Sequence, residues 1–269
     1  YVCLDSQFAS EKLGSGLFWT LLTLAKNDKE KKEYFTKWGK LFEDYVLNRL
    51  DDSFFSFTHY KNPQRKNGEE LTDYVLRIND DLIVFEVKNS ILSDQVKYGG
   101  DAQLLKDTLI EKFLKKGQLA TAINDLLHNT SVLPSMNSFA QLGSAHVFPI
   151  LVCREPFATM PKICGLLSDE FLRYCRRYIK ARRPRVHRLT VMSMDDFERM
   201  LVLISNGKSL KSMVKEYQAT NEAGAQSFHN YLIGAAKRMG GSLSVRDAAS
   251  NDFLLESQAC WQAHGLAGR

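Results

Sequence analysis

The sequence predicts an α/β protein, a mixed central β-sheet flanked by helices and followed by a helical C-terminal extension. Three observations carry that prediction. Two strand-like runs, Leu71 to Ile78 and Leu82 to Lys88, stand either side of the turn residues Asn79 and Asp80. Beyond Glu86, apolar strand-like and helix-period segments alternate, which favours a mixed sheet with helices on both faces. From Ser205 onward the chain is polar and of helical character. Residues 1–204 are therefore expected to form the main domain and 205–269 the extension.

Taken in order, the segment from about Gly16 to Leu50 reads as helical, with a charged, solvated break at Lys26 to Lys32. Trp38, Leu41, Phe42, Tyr45 and Val46 then recur at helical spacing. The run FFSFTHY, Phe54 to Tyr60, reads as a strand, and Pro63 and Gly68 mark a polar loop after it. A long helical stretch covers about Ala102 to His128 and breaks near Gly117. AHVFPILVC, Ala145 to Cys153, reads as a buried strand. A helix over about Ser168 to Ala181 precedes a strand at VHRLTVM, and SMDDFERMLVLI is a helix opened by a Ser/Asp cap.

Composition bounds the class. The 269 residues are 44% hydrophobic and 25% charged, enough for a sizeable core. The formal net charge of +5 permits a polyanionic partner without requiring one. The five cysteines, Cys3, Cys153, Cys164, Cys175 and Cys260, form no Cys-x-x-Cys pair. That pattern speaks against a zinc ribbon or a disulfide scaffold and for reduced thiols in a cytoplasmic protein. No apolar run has the length of a membrane span. The chain opens on Tyr1 rather than Met, which leaves room for a preceding segment.

The chemistry is concentrated in TDYVLRINDDLIVFEVKNS. If Asn79 and Asp80 make a two-residue hairpin loop, Val75 faces Val84 and Asp73 faces Glu86. Alternation puts Glu86 and Lys88 on one face. Opposed carboxylates with Cβ atoms about 5 Å apart repel. A buried pair of that kind calls for a cation between them, and magnesium suits hard carboxylate oxygens. The competing reading is a solvated sheet face, but LIVFEV is almost continuously apolar, the mark of a strand buried on both sides. A three-residue loop would instead set Glu86 against Tyr74.

This constellation resembles the PD-(D/E)XK nuclease superfamily, with its restriction-endonuclease-like fold. That pattern has an acidic residue on an early helix, Asp on the second core strand, Glu-x-Lys on the third, and often Gln on the next helix. Here GKLFEDYVLNRL supplies Glu43, the hairpin supplies Asp73, Glu86 and Lys88, and KKGQLATAINDL supplies Gln118. The resemblance spans about Trp38 to Ile204; Thr72 stands where many members have Pro. It implies Mg²⁺, with Mn²⁺ as a substitute, held by Asp73, Glu86, the Val87 carbonyl and Glu43. Lys88 would orient or deprotonate a water, and Gln118 would brace the cluster. Glu69 and Glu70 are loop charges held in reserve. The implied activity is phosphodiester hydrolysis, DNA before RNA, in restriction, repair or anti-phage defence. A ribonuclease on the same fold, a non-catalytic nucleic-acid-binding module and a scaffold in a larger complex stay open as alternatives, as does a homodimer.

RYCRRYIKARRPRVHR, Arg173 to Arg188, holds eight Lys/Arg and no acid. Leu172, Cys175 and Ile179 are spaced to face the core. Arg173 with Arg177, and Arg176 with Lys180, form i,i+4 pairs outside it. Such a one-sided run, with Arg182, Arg183 and Arg185 beyond, suits contact with a phosphate backbone; a solvated face with snorkelling Arg stems is the plainer reading. NGKS at Asn206 lacks the first Gly of a phosphate loop, and His229 in FHNYL reads as a helix-surface histidine.

Overall fold

The computed structural model describes residues 22–65, 67–128, 146–179, 185–221 and 226–238. By contact the chain divides into two compact units, residues 1–45 and 46–269. Helix α1, Asp28–Phe54, runs through the boundary in sequence. The expected break at Lys26 to Lys32 is present but shorter: residues 24–27 are non-helical, and Asp28 to Lys32 already belong to the helix. Asn27 Oδ1 accepts the Glu30 amide at 2.9 Å and Glu30 Oε2 accepts the Lys26 amide at 2.8 Å. The charge run is thus a capped first turn, with Asp28 and Glu30 at the positive end of the helix dipole.

In the second unit the end of α1 buries Val46, Leu47, Leu50 and Phe54. Phe54 extends that stripe by four residues from Leu50, which explains why it closes a helix rather than opening a strand. Strand β1 is only Thr58–Lys61.

A six-stranded sheet organises this unit. Strand β2 is Tyr74–Ile78 and β3 is Asp81–Lys88. β4 is His146–Cys153, β5 Arg185–Val186 and β6 Thr190–Ser193. The order is β1-β2-β3-β4-β5, with β6 also on β4. The first three strands are antiparallel, and β3, β4, β5 and β6 pair in parallel. The hairpin register is the expected one: Val75 faces Val84 and Ile78 faces Asp81. Asn79, at φ 56°, supplies the left-handed turn residue that a tight hairpin needs.

Short helix α2, Asp94–Tyr98, leads into α3, Ala102–Leu109. The predicted break then appears as a π-helical turn, Ile110–Leu114, and a 3-10 turn, Lys115–Gly117, before α4, Gln118–His128. Helix α5 is Pro161–Tyr178, seven residues longer at its start than expected. Pro161 occupies the first turn, where a missing N–H costs nothing, and buried Cys164, Leu167, Phe171 and Cys175 carry the stripe through. Leu82 and Val84 share one apolar cluster with Leu109, Phe113, Ile123, Leu167 and Phe171, so α3, α4 and α5 cover that face. Helices α6, Met194–Ser205, α7, Leu210–Thr220, and α8, Phe228–Arg238, follow among the described residues. Ser193 caps α6 through a reciprocal box with Asp196. NGKS is the α6–α7 turn, with Gly207 at φ 88° and Ser209 capping α7. The mixed α/β architecture with flanking helices is therefore as expected. Among the described residues, Cys153, Cys164 and Cys175 are buried free thiols, and no helix is long and apolar enough to cross a membrane.

Gly117 is the tightest joint. It sits at φ 92°, and a Cβ there would lie 2.7 Å from Tyr178 Cε2 and 2.9 Å from Tyr174 Cδ1. Gly117→Ala should cost about 1–3 kcal/mol, strain and overpacking acting together, read as a fall in urea midpoint. An unchanged midpoint would mean that the bulge repacks freely.

His187 provides a pH-dependent element at the other end of the sheet. Its ring stacks on Phe148 at 4.2 Å between centroids, and its Nε2 lies 2.7 Å from His146 Nδ1. Burial first, then His146, Arg185 and Lys215, hold its pKa down to about 4, with Gln218 opposing. Below about 6.5 the unfolded chain takes up a proton that the fold refuses, so stability is lost as pH falls from 6.5 toward 4. With screening at this half-buried position the loss should be roughly 1 kcal/mol. His187→Phe keeps the ring stack and should flatten that limb of a melting-temperature profile; parallel profiles would refute it.

Candidate metal centre and nucleic-acid interface

The strand β3 is buried along its whole length, and its last turnout brings the charges together. Glu86 is 3% exposed and Lys88 7%, and their side chains form an ion pair. Both point to the face that carries Leu82 and Val84, as alternation requires. Asp73, 8% exposed, lies one residue before β2, because the strand register ends at Tyr74 opposite Phe85. The Val87 amide donates to its Oδ2. Thr72 Oγ1 donates to the Phe85 carbonyl at 2.8 Å and to Glu86 Oε2 at 3.3 Å. A hydroxyl at this position ties the acid-bearing turn to β3, a job that Pro could not do.

The two acids act on one another electrostatically. Burial, then the charge of Glu86, pushes the Asp73 carboxyl up to about 8; Glu70 adds to this, while the Val87 amide and Lys88 oppose it. Burial alone would lower the Lys88 pKa, but the charge and hydrogen bond of Glu86, with Asp73, carry it above its ordinary value. Lys88 is therefore an ammonium here. Carboxylate oxygens of Glu70 and Asp73 lie within 4.8 Å of each other, a gap that one ion at about 2.0–2.6 Å from each would span. The donor set of hard oxygens, and a carboxyl that a cation would let ionise, fit magnesium or a similar ion. Glu70, a loop charge in the sequence reading, thus stands beside the site.

The other expected site residues fall as follows. Glu43 lies in the first unit on α1, accepting from Lys40 Nζ at 2.8 Å. Gln118 is the first residue of α4, directly after the bulge. Arg173, Arg176 and Arg177 are exposed on α5, and Arg185 is exposed on β5. Arg173 pairs with Glu170 at 2.7 Å, and Arg177 stacks over Tyr178 at 5.6 Å. Lys180, Arg182 and Arg183 lie outside the described residues. Leu172 and Ile179 pack on the core and Cys175 is buried within it, as their spacing requires. His229 corrects the surface assignment: its Nδ1 sits 2.7 Å from Oδ1 of fully buried Asp196, tying α8 to α6.

Sequence reasoning missed Lys115. It adopts φ 40°, ψ 56° at the end of the π-turn, near enough to Lys88 for that charge and burial to lower its pKa. The only sequence signal was KKG interrupting a helical period.

These features define a mixed α/β domain with a buried acid and lysine cluster at the C-terminal end of a central strand. No protein-family model matches the sequence, and no curated protein does. Among solved structures, the small subunit of the heterodimeric restriction endonuclease R.BspD6I is similar at a TM-score of 0.33 and 10% identity, over 82% of this chain and 95% of that one.

Proposed function

We propose that the protein is a divalent-metal-dependent nuclease that hydrolyses phosphodiester bonds, with DNA preferred over RNA on the resemblance of its residue pattern. The observation that carries this reading is the meeting of buried Asp73, Glu86 and Lys88 at one end of β3. A pair of buried, mutually repelling carboxylates is a cost to the fold that a binding module gains nothing from.

Asp73, Glu86 and the Val87 carbonyl would hold Mg²⁺ or Mn²⁺, with Glu70 beside them. The ion, when bound, supplies Lewis acidity toward the phosphate and lowers the pKa of an attacking water. Lys88, charged and fixed by Glu86, orients that water and offsets negative charge growing on the phosphate. Gln118, at the start of α4, would brace the cluster. The exposed arginines of α5 and Arg185, with Lys180, Arg182 and Arg183, would contact the backbone of the nucleic acid. Cutting both strands of a duplex calls for two such sites, hence a homodimer or a larger complex. Restriction, repair and anti-phage defence all use this chemistry.

Incubation with end-labelled duplex DNA, single-stranded DNA and RNA, each with Mg²⁺, Mn²⁺ or chelator, tests the proposal. Cleavage should require the metal and vanish in Lys88→Ala. Cleavage that persists in chelator, or binding without cleavage in every metal, would overturn it.

A further inference from the structure

Between the buried lysine and the basic helix lies a strained segment that the assignment above leaves unused. Two consecutive non-glycine residues, Lys115 and Lys116, adopt positive φ, at 40° and 53°. Left-handed conformations cost an ordinary residue on the order of 1 kcal/mol or more each and persist only where the surroundings impose them. Here the π-turn Ile110–Leu114 precedes them, with Phe113 and Leu114 buried, and Gly117 follows, wedged against Tyr174 and Tyr178. The chain is pinned on both sides. Single-turn π-bulges of this kind recur at functional sites.

The bulge sets Lys115 near the acid cluster, close enough for the charges of Lys88, Glu86 and Asp73 to act on it. Lys88 is buried, whereas Lys115 is exposed. A polyanion arriving from solvent therefore meets Lys115 before Lys88. The bulge is also continuous with the basic face, because Gly117 packs on Tyr178, over whose ring Arg177 stacks.

We infer that Lys115 is a substrate-contacting residue, which grips a phosphate of the nucleic acid beside the one that Lys88 faces and passes the strand from the α5 arginines into the site. This rests on the nuclease reading for the identity of the substrate. Two neighbouring lysine side chains oppose each other's charge, and anionic oxygens beside them relieve that opposition; a phosphodiester supplies such oxygens. The rival role on charge alone is Lys115 as counter-ion to Asp73 and Glu86. The two roles differ in what removal does: a counter-ion matters to stability, a phosphate contact to salt dependence.

The test compares wild type, Lys115→Ala, Lys115→Arg and Lys115→Gly. Binding of a labelled DNA duplex is titrated against salt in chelator, and cleavage is followed with Mg²⁺. Loss of one phosphate contact should reduce the slope of log affinity against log salt by about 1 in the alanine and glycine variants, with arginine restoring it. Cleavage should fall about 10- to 100-fold in alanine, mostly through KM, and recover in arginine. Lys115→Gly should melt no lower than wild type, since glycine relieves the left-handed backbone, and yet cleave poorly. Unchanged slope and affinity in Lys115→Ala would overturn the inference, whether or not anything is cut. Should the wild type bind but never cleave, a reduced slope in Lys115→Ala would still support the phosphate contact, and only the hydrolytic assignment would fail.

Discussion

Lys88→Met should lower the unfolding free energy by about 3–5 kcal/mol, the range for stripping one partner from a buried ion pair. Methionine matches the lysine stem in length and volume, so the loss is electrostatic rather than a cavity. Glu86, 3% exposed, would keep only the 3.3 Å contact from Thr72 and the more distant charge of Lys115, with the Asp73 acid still beside it. Glu86→Gln should cost less, because the stranded Lys88 ammonium retains Asp73 as a neighbour. The double variant Glu86→Gln/Lys88→Met should be the mildest, since it leaves no unpaired charge in the site. Chemical denaturation of the four proteins in chelator gives the coupling directly. All three variants should lose cleavage by at least about 10²-fold. If the double variant proved the least stable, the pair would be a stabilising bridge and not a functional one kept at a cost.

What could be read from the residues was whatever local chemistry decides. The hairpin followed from turn residues and strand alternation, and its pairing of Val75 with Val84 came out as expected. The convergence of Asp73, Glu86 and Lys88 followed from that register. The cap at Ser193 was likewise visible as a Ser followed by acids. What stayed hidden depended on packing between segments far apart in sequence. FFSF looked like a strand because aromatic residues favour one, but Phe54 completes a helical stripe that starts at Val46. The helix was expected only from about Ser168, yet burial of Cys164 and Leu167 carries α5 back to Pro161. Lys115 was illegible for the same reason. The turn that carries it ends at Gly117, which Tyr174 and Tyr178, some sixty residues on, hold too tightly for a Cβ. His229 needed Asp196 from another helix to become anything but a surface residue.

Asp73→Asn should invert the usual relation between stability and function. The Asp73 carboxyl is pushed up to about 8, chiefly by burial and then by Glu86, with Glu70 adding and the Val87 amide and Lys88 opposing. A group whose folded pKa lies above its unfolded value of 3.8 leaves the fold unpenalised below about 4. As pH rises from 4 to 8 the unfolded chain ionises and the fold does not, so stability falls across that window and stays low above it. Asparagine can still accept the Val87 amide, and it carries no charge. In chelator at pH 8 the variant should therefore be more stable than wild type by a few kcal/mol, and its melting profile should lack the decline between 4 and 8. Magnesium should narrow that gap. At a hundred times its dissociation constant an ion binding only the folded wild type adds about 2.7 kcal/mol, and the variant, missing a ligand, should gain little. Thermal melts in chelator and in magnesium, across pH, read both effects at once. A variant that melts below wild type in chelator, or that magnesium stabilises equally, would mean that Asp73 is an ordinary buried acid whose partner is the Val87 amide and not a metal.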